Sequence, residues 1–151
     1  MPLFEIPKCF KSIRLADYAP EYKDQHIDVW VNPPSSILLE RDAVIEQINI
    51  ENEAIEAISR EIAKIQNQEE IKAAFKKNGA HLQEIGQKIQ ELYRSIWPWY
   101  AKILFIDGSQ INEKDLLEIF ETSTDTDPKF TAWLTSRAME LIIEHRQQRK
   151  N

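Results

Sequence analysis

A chain of 151 residues, 42% apolar and 29% charged, has the size and make-up of one folded, helix-rich domain. Its net charge of −6 argues against a nucleic-acid-binding surface as its main business, and only three glycines argue against an elaborate loop-built site. A single cysteine, Cys9, excludes an intramolecular disulfide and a cysteine-based zinc site within one chain.

The first 34 residues hold five of the seven prolines and differ in character from the rest. The opening MPLFEIPKCF has no basic region ahead of an apolar run of about seven residues, so no secretory signal is expected there. No run anywhere approaches about 18 apolar residues, so no membrane-spanning segment is expected and the expected location is cytosolic. In CFKSIRLADY, Ile13 and Leu15 fall on one face with Ser12 and Arg14 opposite. In HIDVWV, Ile27, Val29 and Val31 share a face with Asp28 and Trp30 opposite. Both runs have the period of two of half-buried strands and predict an antiparallel hairpin closed by a polar loop around Pro20. Such a hairpin is marginal alone and must pack on helices or on another chain. Pro33 and Pro34 end the second strand, and Ser35 or Ser36 then caps a helix. Trp30 is the residue this switch does not explain.

The period then changes. Val44, Ile48, Glu51, Ile55, Ile58, Ile62 and Ile65 recur at alternating spacings of four and three, a coiled-coil-like stripe. QNQEE at 66–70 breaks its phase. A second stripe follows through Ile71, Phe75, Asn78, Leu82, Ile85, Ile89, Leu92 and Ile96. A helical hairpin is expected, with its reversal either at 66–70 or at Asn78-Gly79, a pair that spacing alone does not separate. Pro98 interrupts the second helix between Trp97 and Trp99.

Beyond it, AKILFIDGSQ predicts either a short strand running into an Asp107-Gly108 turn or the last turns of the helix. Asn112, with Asp115 three residues on, predicts a capped short helix carrying Leu116, Leu117, Ile119 and Phe120. TSTDTD is a polar break. Asp127 caps and Pro128 opens a final helix to about Arg146, with a buried stripe of Phe130, Trp133, Leu134, Ala138, Leu141 and Ile142.

Chemical signatures are sparse. His26, His81 and His145 have no partner at helical metal-ligand spacing, and no glycine-rich phosphate loop occurs. Asp125 and Asp127 lie in a stretch lacking the central glycine and closing glutamate of a calcium loop. No catalytic, cofactor-binding or metal-ligating residues are therefore assigned, and an enzyme is not expected. Residues 40–62 contain seven acids (Glu40, Asp42, Glu46, Glu51, Glu53, Glu56 and Glu61) against Arg41 and Arg60, a local balance of −5. That face is either simply solvated or a surface for a basic partner. The tail HRQQRKN is basic but lacks interleaved aromatics, so nucleic-acid contact is a weak alternative.

Aromatic residues carry more weight, because tryptophan and tyrosine bury large areas at interfaces while keeping a polar tip. Trp30, Pro33, Pro34, Trp97, Trp99, Tyr100 and Trp133 are the candidate partner-binding residues, with a core junction as the competing role for WPWY. Val44, Ile48, Ile55, Ile58, Ile62 and Ile65 are the candidate self-association residues.

The extended segments IRLADYAPEY and IDVWVNPP, followed by a helical middle and by FTAWLTSRAMELIIEHRQ, resemble tail assembly chaperones of long-tailed bacteriophages and related phage-like particles. The match rests on Val29-Trp30-Val31-Asn32-Pro33-Pro34 and on the late helix bearing Trp133. It covers the chain's ends better than its middle, where a coiled-coil-like stretch from about 37 to 97 replaces the brief connection of many such proteins. The resemblance implies a mainly helical, self-associating, non-enzymatic protein that coats or holds the tape-measure protein in the cytoplasm of a host cell.

The expected fold is mainly α (α+β): an N-terminal β-hairpin segment over 1–34, a helical hairpin over 35–97 and a C-terminal helical unit over 98–151. The expected function is non-enzymatic protein–protein assembly by a homo-oligomer. The alternatives are a structural coiled-coil subunit of a larger complex or a small nucleic-acid-binding regulator.

Overall fold

A computed structural model describes residues 3–150. The fold is mainly α with a small antiparallel sheet. One compact unit joins the chain up to Leu38 with the chain from Trp97 onward, and a second runs over Leu39–Ile96.

In the first unit, β1 (Phe10–Arg14) and β2 (His26–Trp30) pair antiparallel with Ile13 opposite Ile27 and Phe10 opposite Trp30. The connection folds into two short 3-10 turns, Leu15–Asp17 and Pro20–Tyr22. Of the two fates open to AKILFIDGSQ, the strand prevails. β3 (Leu104–Ile106) pairs with β2, and β4 (Ser109–Gln110) pairs with β3, giving the sheet order β1-β2-β3-β4. Asp107 (φ 50°) and Gly108 (φ 80°) form the two-residue link between β3 and β4. Two consecutive positive φ values are what a twisted two-residue hairpin requires.

Two helices follow. Asn112 caps α3 (Glu113–Thr126), its Oδ1 accepting from the amides of Lys114 (2.8 Å) and Asp115 (3.4 Å). The polar stretch 122–127 does not break this helix as expected. Thr124 and Thr126 donate their hydroxyls to the carbonyls of Phe120 and Thr122, four residues back, so the helix itself satisfies them. The chain reverses at Asp127, and α4 (Pro128–Lys150) begins at once. α4 lies against β1, β2 and α3. It buries Phe130, Leu134, Ala138, Leu141 and Ile142 against the sheet face that carries Ile13, Ile27, Val29 and Leu104. Each such aliphatic side chain contributes about 1.5–3 kcal/mol by leaving water.

The second unit is the helical hairpin. α1 (Ser35–Ala63) and α2 (Gln68–Tyr100) are both long, and the unit boundaries fall in the first turn of α1 and the last turn of α2. The reversal lies at residues 64–67, so Asn78-Gly79 is mid-helix. Asn67 decides the restart: its Oδ1 accepts from the amides of Glu69 (2.8 Å) and Glu70 (3.3 Å), satisfying two orphan donors of α2.

Both polar interruptions in the apolar stripes have a structural role. Glu51, with a side chain only 17% exposed, accepts a 2.7 Å ion pair from Lys88 on the facing helix. That bond holds the Lys88 ammonium above its ordinary pKa. Asn78 donates its side-chain amide to the Ala74 carbonyl at 2.8 Å. One stripe position differs from expectation: Ala74 is half-buried, and Phe75 is 54% exposed.

Candidate functional site

The predicted partner-binding residues all lie in the first unit, in three separate aromatic groups. Trp30 projects from the sheet face opposite the core, shared with Phe10, Ser12, Asp28 and Phe105. Phe10 and Phe105 meet edge to face at 4.9 Å, and the Lys8 ammonium sits 4.6 Å from the Trp30 ring and 5.4 Å from that of Phe105. A cation over an aromatic face is attractive by roughly 0.5–1 kcal/mol where solvent reaches it. Trp30 is half-buried, and its Nε1 is buried without a hydrogen-bond partner.

Asn32 organises this face, a role hidden in the sequence. Its Oδ1 accepts from the Cys9 amide at 2.7 Å, and its Nδ2 donates to the Pro7 carbonyl at 3.1 Å. The segment bearing Lys8 is thereby tied beside Trp30. Pro33 is buried and Pro34 exposed.

The WPWY group is chiefly internal. Trp99 is 7% and Tyr100 4% exposed, and the Trp99 indole donates to the Ile37 carbonyl at 2.8 Å. The half-buried Trp97 meets Phe120 edge to face at 5.5 Å. Trp133 belongs elsewhere, 5.2 Å from Tyr18 and 6.3 Å from Phe130, while Phe130 stacks on Tyr22 at 5.2 Å. The structure therefore brings together Trp97, Trp99 and Tyr100, and leaves Trp30 and Trp133 in separate groups.

The predicted self-association residues line the second unit. Ile48 and Ile62 are buried at 1% and 6% exposure, and Val44, Ile55, Ile58 and Ile65 are half-buried.

One concave site was not anticipated from the sequence. A cleft of about 760 Å³ opens in the first unit. Leu15, Ile27, Leu116, Phe130 and Leu134 supply its buried apolar lining, and Ile106 and Ile119 stand at 43% and 45% exposure. Asp107, Asp115, Glu118 and Asp127 also line it, along with His26. The only sequence hint was Ile119, an apolar residue turned off the Leu116–Phe120 face of α3.

Two of the lining hydroxyls, those of Ser123 and Thr126, are committed to backbone carbonyls. Ser123 donates to the Asp127 carbonyl at 2.6 Å, and Tyr18 donates to Asp127 Oδ1 at 2.6 Å. Expected as a plain helix cap, Asp127 thus gives its carboxylate to a residue 109 positions away in sequence. That hydrogen bond, followed by desolvation and the carboxylate's charge, pushes the Tyr18 phenol up to about 12. Burial, with Asp127 and Glu21 nearby, raises Tyr22 as well. What the cleft offers a ligand is apolar contact and negative charge.

Among the described residues, no group of three or more His, Cys, Asp or Glu side chains could hold a metal ion, and no helix is long and apolar enough to cross a membrane. Comparison with protein-family models, with curated proteins and with solved structures finds no match to this chain.

Proposed function

We propose that this chain is a non-enzymatic protein–protein assembly factor that self-associates through its helical hairpin. The observation carrying this reading is the half-covered seam. Two packed helices leave the flanks of their apolar stripes open to solvent, and Val44, Ile55 and Ile58 on α1, Ile65 just beyond it, and Leu82, Ile89 and Leu92 on α2 are half-buried. Further large apolar side chains, Ile50, Phe75 and Tyr93, are 57%, 54% and 49% exposed on the same unit. Pairing with helices of another chain would remove this surface from water, which is the driving force of coiled-coil assembly.

The most specific form of the proposal follows from the resemblance stated above: a phage tail assembly chaperone that holds the tape-measure protein in the host cytoplasm. The same seam also suits a structural coiled-coil subunit of a larger particle. Trp30, Pro34, Trp97 and Trp133 are the predicted partner-binding residues that retain exposure for either role.

Size-exclusion chromatography with light scattering tests self-association, over the widest accessible range of concentration. An oligomer that weakens on Phe75→Glu or Ile50→Glu is the expected result. A strict monomer that also forms no complex with a co-expressed long helical protein from a neighbouring gene would overturn the assembly reading. Tape-measure and tail-tube genes as neighbours would favour the chaperone form; metabolic neighbours would count against it.

A further inference from the structure

We propose that the cleft of the first unit is a docking site for a basic amphipathic peptide segment of a partner protein, one with large apolar side chains flanked by lysine or arginine. The proposal rests on the assembly reading and gives it a second surface, distinct in sequence and chemistry from the hairpin seam.

Three observations carry it. The volume, about 760 Å³, falls within the roughly 300–1,000 Å³ typical of sites that enclose a ligand. Nine of the eighteen lining residues are aliphatic or aromatic, and Ile106 on β3 and Ile119 on α3 remain over two-fifths exposed. Apolar side chains so placed gain by covering, which favours an apolar anchor as occupant.

Charge selects the kind of anchor. Among the lining residues are four acids and no lysine or arginine. Asp107, Asp115 and Glu118 are exposed, and among the described residues none of the three has an ion-pair partner. An anionic peptide would meet uncompensated like charge there, whereas lysine or arginine flanking the anchor would meet complementary charge. Asp127 is the exception among the acids, because Tyr18 already occupies its carboxylate.

The test uses the full chain and a fluorescein-labelled helical peptide of leucine and lysine, read by fluorescence anisotropy. Two matched peptides accompany it, one with glutamate for lysine and one with serine for leucine. The triple variant Asp107→Asn, Asp115→Asn, Glu118→Gln keeps side-chain shape, and asparagine tolerates the positive φ of position 107. It should weaken the leucine–lysine peptide about tenfold, the sum of three modest charge contacts. Ile119→Ser should weaken it without altering its salt dependence. The control variant Glu70→Gln, Glu84→Gln, Glu91→Gln removes as many exposed acids from α2 and should leave binding unchanged.

Equal loss in the control variant would reduce the effect to diffuse attraction and overturn the proposal, as would equal binding of the glutamate peptide. Light scattering on the same samples separates the two proposals. An intact oligomer that binds no peptide overturns the cleft assignment alone, and a monomer that binds peptide at the cleft overturns self-association alone.

Discussion

Replacing Gly79 by alanine should stabilise this protein, while the same replacement at Gly108 should destabilise it. Gly79 is exposed in the middle of α2, and a Cβ built on it meets nothing within 4 Å. No steric cost therefore opposes the helix-propensity gain of alanine over glycine, about 0.8–1.0 kcal/mol. Space at Gly108 is equally open, but its φ is +80°. There alanine must enter the left-handed region at a cost of about 1–2 kcal/mol. The two variants thus separate backbone conformation from packing, since neither creates a clash. Urea denaturation followed by far-ultraviolet circular dichroism would show a midpoint raised for Gly79→Ala and lowered for Gly108→Ala. In a thermal melt the first should gain about 2–4 °C if the chain unfolds as one unit, and about 4–8 °C if the hairpin melts alone. A loss of stability on Gly79→Ala would place a turn rather than a helix at Asn78-Gly79 and refute the assigned reversal at 64–67.

Two further outcomes follow from the first unit. Because Tyr18 donates to Asp127, its folded-state pKa of about 12 exceeds the unfolded value of 10.0. The folded state then holds the proton more tightly, so this contribution is intact below pH 10 and is lost as pH rises toward 12. Ultraviolet titration should show two phenols ionising late, Tyr18 and Tyr22, and Asp127→Asn should bring Tyr18 back toward the ordinary range; no change in that variant would refute the assigned cause. Trp99→Phe removes the indole hydrogen bond to the Ile37 carbonyl and part of a nearly buried ring. It should cost about 1–3 kcal/mol by chemical denaturation, and an unchanged midpoint would show that the bond contributes nothing.

Local pattern made much of the fold legible. The period of two placed both strands of the hairpin, because Ile13, Ile27 and Val29 must share one face of a sheet to be buried together. Spacings of three and four located both long helices, and Asn112 announced α3 through its cap. Where local chemistry was ambivalent, the reading failed or stayed open. TSTDTD looked like a break because its hydroxyls favour turns, yet they bond back to helix carbonyls. Asn67 ahead of two glutamates was an unused capping signal that would have separated the two candidate reversals.

The candidate sites were less legible because they depend on residues distant in sequence. Trp30 was rightly marked as standing off the core face, but its neighbours Phe10, Phe105 and Lys8 come from other strands and from a segment that Asn32 ties down. The cleft draws on residues from Leu15 to Leu134, and no local spacing relates them. Asp127 illustrates the same point: sequence assigned it to the nearest helix, and the fold delivered Tyr18 to it instead.

By itself the sequence determined the two strands of the first hairpin, the pair of long helices and most of the buried stripe of α4, since periodicity and capping act over a few residues. Only the tertiary structure decided that the two ends of the chain share a unit, that β3 completes the sheet beside β2, and that an acidic apolar cleft opens there. Those outcomes turn on which distant surfaces exclude water together, a quantity that depends on how the whole chain packs.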